Sequence, residues 1–257
     1  MKNSFSTPGF LWILLTLICL VFILTGLNAV LKRTGWDKNH RNKIFLLAIS
    51  IIVMWVGLLT ILSLSNFFSD FSKLPPRPAL AMIIPLPFIL LIAFSKKGTQ
   101  FLQLIPAQWL VFIQSFRIVV EFLLLFAFMA NKLPIQMTFE GRNFDVITGL
   151  LALPVSYLLA KNKNYASKLT IAFNIIGIIL LLNILVIAVL SMPTSVRYFM
   201  NEPSNTLVGQ FPFILLPGVL VPIAYSMHIF SLRQLLARQR KIDFNLGSHQ
   251  SASLSQS

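Results

Sequence analysis

The hydrophobic pattern of this chain consists of long apolar runs separated by short polar stretches. Seven of these runs are long enough to cross about 30 Å of hydrocarbon. Their approximate limits are 9–31, 44–66, 79–95, 101–130, 144–160, 168–191 and 211–236. The pattern predicts an all-α, polytopic membrane protein whose seven transmembrane helices form one domain over residues 1–241.

The amino-acid composition favours the same class of protein. Hydrophobic residues make up 56% of the 257 residues and charged residues only 11%, and the mean hydropathy is +0.81. Soluble domains carry about 25% charged residues. After the last apolar run the chain becomes rich in Ser and Gln without an apolar face, so we expect 242–257 to be a disordered cytoplasmic tail.

The distribution of basic residues predicts the orientation in the membrane. With seven spans, 14 Lys and Arg side chains fall on one side and 6 on the other. Basic loops stay in the cytoplasm, so the N-terminus is predicted outside and the C-terminus inside. The third span is short and contains Pro85 and Pro87. Without it the counts become 8 and 12, and the expected bias is lost.

The net charge of +14 also bears on partners and location. The basic residues lie in short loops, and no basic domain with interleaved aromatic residues occurs outside the membrane, so we expect no nucleic-acid partner. The basic run 238–241 is predicted to bind anionic lipid headgroups at the cytoplasmic side.

We expect a multi-pass protein of the bacterial inner membrane, in contact with the lipid bilayer. The sequence identifies no protein partner.

Arg117 and Glu121 are the only charged residues deep inside an apolar run. Their spacing of four residues places them on one face of a helix, and Gln114 lies on nearly the same face. Each charge costs about 2.5–3.5 kcal/mol at the centre of a bilayer. The helix is therefore expected to turn this face away from lipid, towards the interior of the bundle.

Polar residues of the next two spans are candidates for the same site. Asn143 is a predicted N-cap of the fifth span, Asp145 falls in its first turn, and Thr148 follows one turn later. These side chains would line an entrance above Glu121. Asn183 is expected near the middle of the sixth span, although a lone Asn in a membrane helix more often joins helices than binds a ligand.

The third and seventh spans are interrupted by proline. Paired broken helices indicate a binding site in transporters built from repeats, yet we favour the interpretation of these prolines as simple kinks. In the seventh span, His228 could relay protons. We interpret it instead as an interfacial histidine beside Arg233.

These patterns favour a protein that binds or translocates a small solute through an outward-opening polar cavity. The candidate residues are Arg117, Glu121, Gln114, Asn143, Asp145, Thr148 and Asn183. The alternative is a non-catalytic membrane sensor, subunit or scaffold in which Arg117 and Glu121 form a purely structural pair.

Enzymatic motifs are missing from the sequence. It contains no phosphate-binding glycine loop, no His-Glu-x-x-His and no Gly-x-Ser-x-Gly. An intramembrane enzyme would have to use Glu121 with His228 or Asp145, and we do not expect one. The chain has one cysteine, Cys19, and three scattered histidines, so no metal site and no cofactor are predicted.

Overall fold

A computed structural model describes the backbone of residues 7–163 and 165–254 and the side chains of residues 9–163 and 165–239. Within these ranges the ordered elements are helical, and no β-strand occurs. The α-helices are α1 (Thr7–Leu31), α2 (Lys38–Leu64), α3 (Arg77–Ile83), α4 (Pro85–Phe94), α5 (Lys96–Leu104), α6 (Ala107–Phe112), α7 (Phe116–Met129), α8 (Val146–Ala160), α9 (Ala166–Leu190) and α10 (Val221–Leu254). Short 3-10 turns cover Phe67–Ser69, Ile113–Ser115, Ile135–Met137 and Leu207–Gly209, and a π-helical turn covers Leu216–Leu220.

Six helical stretches within the described residues are long and apolar enough to cross a membrane. They are Gly9–Leu31, Lys38–Leu64, Arg77–Phe94, Ala107–Met129, Ala166–Leu190 and Leu216–Gln239. The chain is therefore a multi-pass, all-helical membrane protein, as its hydrophobic pattern predicts. The remaining predicted span, 144–160, corresponds to α8, which is apolar but only 15 residues long.

The predicted span 101–130 is not one helix. The short helix α5 ends at Leu104, and Ile105 has an extended backbone with φ −77° and ψ 131°. Pro106 follows, and a residue before proline is disfavoured in the helical region because the proline ring crowds it. The membrane-length helix begins only after this break, at Ala107.

The predicted span 211–236 is also displaced. Its helical stretch begins at Leu216, in the π-helical turn, and continues to Gln239. Pro222 has no N–H to donate to the carbonyl of Gly218 four residues earlier. The indole Nε1 of Trp55 on α2 donates to that carbonyl instead, at 2.8 Å. A neighbouring helix thus satisfies the group that proline leaves free.

Basic side chains hydrogen-bond to backbone carbonyls of neighbouring helices at one end of the bundle. Arg33 after α1 donates to the carbonyl of Leu104 at 3.2 Å, and its guanidinium lies over the ring of Trp109. Arg233 on α10 donates to the carbonyl of Ala93 at 3.1 Å. The turns 32–37, 95 and 105–106 therefore meet at this end, which we call the basic end.

The opposite end, which we call the loop end, is formed by the connections 65–76, 130–145 and 191–215. Ser63 Oγ donates to the carbonyl of Gly209 at 2.8 Å, and Gln136 Nε2 donates to Ser191 Oγ at 3.1 Å. These hydrogen bonds join the connection 191–215 to 130–145 and to the end of α2. The connection 65–76 packs against the same loop, since a Cβ at Gly209 would come within 2.5 Å of the Phe68 carbonyl oxygen.

The last helix, α10, runs to Leu254 and so includes much of the predicted disordered tail, 242–257. The side chains of that stretch and residues 255–257 lie outside the described part of the chain, and disorder there stays a prediction.

Candidate functional site

The Arg117 side chain is held by groups from two other helices. Its Nε donates to Asp145 Oδ2 at 2.7 Å, at the start of α8. Its Nη1 lies 3.0 Å from Nε2 of His228 on α10. Only 1% of Arg117 is exposed. The carboxylate that pairs with Arg117 is therefore Asp145, and not Glu121 as the spacing on the helix suggests.

The contact between Arg117 and His228 fixes the histidine tautomer. A guanidinium can only donate, so His228 Nε2 accepts and its hydrogen is on Nδ1. The Nδ1–H then donates to Asn174 Oδ1 on α9, at 2.8 Å. The amide of Asn174 donates in turn to Ser231 Oγ, at 2.8 Å. A continuous chain of buried hydrogen bonds thus joins α7, α8, α9 and α10, with a neutral imidazole at its centre.

Glu121 is held by a different group. Its Oε1 accepts a hydrogen bond of 2.6 Å from Asn143 Nδ2, which also donates to the carbonyl of Met137 at 3.1 Å. Asn143 Oδ1 accepts from the backbone N–H of Asp145 at 3.1 Å. The predicted helix start is wrong here, because the N-cap of α8 is Asp145 and Asn143 lies two residues earlier.

These charged residues line a cavity of about 70 Å³. A water molecule needs roughly 10–15 Å³ of such space, so the cavity has room for several. Three buried polar atoms of its charged residues have no protein partner: Arg117 Nη2, Glu121 Oε2 and Asp145 Oδ1. Buried charged groups normally have their polar atoms paired, so these three atoms are potential partners for water or a solute.

The cavity is amphipathic and elongated. Its apolar walls come from α3, α7, α9 and the π-helical turn with α10, and include Met82, Val120, Leu181, Leu185, Ala188 and Leu220. At one end it reaches Arg117 and Ala224 in the middle of the bundle. At the other it reaches Pro78 near the start of α3, and Met192 and Val208 of the loop end.

The structure brings four of the predicted site residues together on the cavity wall, namely Arg117, Glu121, Asn143 and Asp145. The other three are not on that wall. Gln114 is buried and donates to the carbonyl of Ala224 at 2.9 Å. Thr148 is buried, with a hydroxyl that has no protein partner. Asn183 is half-buried and donates to the carbonyl of Arg142 at 2.9 Å.

Sequence reasoning missed His228. It is completely buried and contacts Arg117, so its interpretation as an interfacial residue beside Arg233 is wrong. The error followed from starting the seventh span at 211, because a start at Leu216 places His228 near the middle of Leu216–Gln239. Asn174 does join helices, as expected of a membrane Asn.

Comparison with known families gives a match over the second and larger part of the chain. A model described as a domain of unknown function (DUF8737) matches residues 77–236, which is more than half of the chain. The matched region begins at α3 and contains every residue of the site described above. No match was found among curated proteins or among solved structures.

Proposed function

The chain belongs to the DUF8737 family of domains of unknown function, and we propose that it binds or translocates a small solute through the cavity around Arg117 and Glu121. One observation carries the proposal. The charged residues that carry unpartnered buried atoms, Glu121 at Oε2 and Arg117 at Nη2 among them, lie on the wall of a cavity. Leaving such groups unpaired is unfavourable, so a solute or water that pairs with them would be bound.

We further propose seven spans, an external N-terminus, a cytoplasmic C-terminus and a location in the bacterial inner membrane. The excess of Lys and Arg in the loops of one side supports this orientation. The loop end then faces outward, and the cavity opens outward with it. Glu121 lies eight residues before the end of α7 at Met129, about 12 Å below that end.

The cavity walls include both proline-broken segments. Pro78 and Met82 come from α3, beside the break at Ile84, and Pro217 comes from the π-helical turn. Single π-helical turns occur frequently at functional sites. This supports solute binding between these two segments.

Cysteine accessibility tests the proposal. Cys19 is the single cysteine, so a Cys19→Ala background allows one reporter thiol at a time. Ala188 lines the cavity, whereas Val186, on the same helix, is 56% exposed and faces away from the bundle. We expect a membrane-impermeant methanethiosulfonate, added from outside, to modify the Ala188→Cys protein and to leave the matched Val186→Cys protein unmodified. Equal rates at both positions, or no reaction at position 188, would contradict an outward-opening cavity.

A sensor, subunit or scaffold role is the second candidate. It is favoured by the hydrogen bonds that tie Arg117 to Asp145 and His228, because such a network joins four helices without any solute. Under this alternative the cavity is a packing defect, and position 188 does not react with the water-soluble reagent.

A further inference from the structure

We infer that the solute is a small organic cation with an apolar body, and that it displaces a proton from Glu121 when it binds. This inference rests on the proposed function, since it names the class of solute that the cavity would take. It is carried by the charge balance of the site and by the chemistry of the cavity wall.

The site has one cationic side chain and two carboxyl groups, so with both carboxyl groups ionised it carries a net charge of −1. Among the described residues on the cavity wall, the ionisable ones are Arg117, Glu121 and Asp145. The one cation faces two carboxyl groups, and each carboxyl has an oxygen without a partner. Burying a net charge is unfavourable, so the empty site requires a proton and the occupied site can use a cation in its place.

Glu121 is the carboxyl suited to hold that proton. Asp145 is bonded directly to the guanidinium of Arg117 at 2.7 Å, which favours its ionised form. Glu121 accepts from Asn143, a neutral amide, through Oε1. Its Oε2 is free to carry a hydrogen, because an amide N–H can donate to the carbonyl oxygen of a protonated carboxyl as well as to a carboxylate.

The charged and titratable groups around Glu121 are compatible with a proton on its carboxyl group. Arg117 lies one turn earlier on the same helix, and Asp145 stands at the start of α8. His228 reaches Glu121 only through Arg117 and is neutral in the tautomer that its hydrogen bonds require. The described residues that α3, α9 and the π-helical turn bring to the cavity wall are all uncharged.

The apolar wall favours a ligand with an apolar body over a bare inorganic ion. Beyond the charged end, the cavity is lined by aliphatic and Met side chains such as Met82, Leu181 and Leu220. An ammonium head would donate its N–H groups to Glu121 Oε2 and Asp145 Oδ1, and its alkyl body would cover the aliphatic wall. In the exchange, the Oε2–H bond breaks, its proton leaves to the outer water, and the carboxylate pairs with the arriving ammonium.

Protection of the reporter thiol tests this inference. The Ala188→Cys protein in the Cys19→Ala background is modified from outside in the presence of n-butylammonium, 1-butanol or butanoate, which share one alkyl body. We expect n-butylammonium to slow modification by a factor of 1 + [L]/Kd, about elevenfold at ten times its Kd. Butanol and butanoate should give little protection, and lowering the external pH should weaken the protection by n-butylammonium, because protons compete for Glu121.

Two variants separate the outcomes. Glu121→Gln keeps an oxygen that accepts from Asn143 but cannot carry the charge, and should lose the protection by n-butylammonium and its pH dependence. Glu140→Gln, at an exposed position of the loop end, is the matched control and should keep both. If position 188 reacts but butanoate or butanol protects as well as n-butylammonium, or if Glu121→Gln keeps the protection, the inference is wrong while the cavity stands. If position 188 does not react at all, the proposed function itself fails.

Discussion

Gly177 on α9 lies against the imidazole of His228 on α10, so closely that a Cβ at this glycine would come within 2.6 Å of Nε2. The same Cβ would approach the methyl group of Thr148 on α8 to 3.0 Å. The missing side chain therefore lets three helices meet where His228 accepts the hydrogen bond from Arg117. Small residues serve this purpose in membrane helices because they allow close approach of the backbones.

Gly177→Ala should destabilise the protein by about 1–3 kcal/mol, because the added methyl group overlaps a buried ring that has no room to move. Gly57→Ala is the matched control, since nothing lies within 4 Å of a Cβ at that position of α2. It should be neutral or stabilising by up to about 1 kcal/mol. Thermal unfolding of both variants in one detergent measures the difference. Equal midpoints would contradict the close packing at His228.

Arg117→Met should cost about 3–5 kcal/mol, because it leaves the Asp145 carboxyl buried without its partner. Adding Asp145→Asn should recover part of this loss, so that the double variant is more stable than the sum of the single effects predicts. Glu202→Gln is the control. Its pairing with Arg197 is at the surface, where Glu202 is 71% exposed, and should be worth less than about 1 kcal/mol. Strict additivity of Arg117→Met and Asp145→Asn would show that the two residues do not interact.

Substitutions of His228 test the tautomer. His228→Gln retains an oxygen that can accept from Arg117, whereas His228→Phe keeps a ring of similar shape without an acceptor. Removing the acceptor leaves a second N–H group of Arg117 unpaired in the interior, so the Phe variant should be less stable than the Gln variant by about 1–3 kcal/mol. Unfolding in detergent gives this comparison. A Phe variant as stable as the Gln variant would mean that the Arg117 contact is not a hydrogen bond.

A pH effect is expected at the loop end. Asp70 accepts hydrogen bonds from the hydroxyl and backbone N–H of Ser72, and it pairs with Arg77 at 2.7 Å. The Ser72 hydrogen bonds first, and the nearby Arg77 charge after them, lower the pKa of Asp70 from its ordinary value. A lowered folded-state pKa contributes stability that is present above the unfolded pKa and is lost as the pH falls through the folded value.

The advantage of the natural protein over Asp70→Asn should therefore be constant near neutrality and should shrink as the pH falls below about 4. Unfolding of both proteins over a pH series measures this difference, which should be small because the pair is solvent-screened. An advantage that increases towards acid would contradict the assigned sign.

The sequence predicted the all-helical, multi-pass class of this membrane protein, because hydropathy depends on local composition. It failed where proline chemistry displaced a helix start, at Pro106 and before Leu216. It also identified Arg117 and Glu121 as interior charges, and Asn143 and Asp145 as their neighbours. The sequence could not predict that Arg117 pairs with Asp145 instead of Glu121. This pairing depends on how α7 packs against the start of α8, and not on the spacing of residues within one helix.

Reaction of a thiol at position 121 itself tests the cavity most directly. Glu121→Cys removes the second carboxyl group of the site and leaves the Arg117–Asp145 pair in place, so the variant should fold. Val119, two residues away on α7, is 45% exposed and is not on the wall of this cavity, so it supplies the matched Val119→Cys control. In the Cys19→Ala background, we predict that a membrane-impermeant reagent added from outside modifies position 121 and leaves position 119 unmodified. An inert thiol at 121, or equal reaction at 119, would contradict the proposal that the buried charges line a cavity open to solutes.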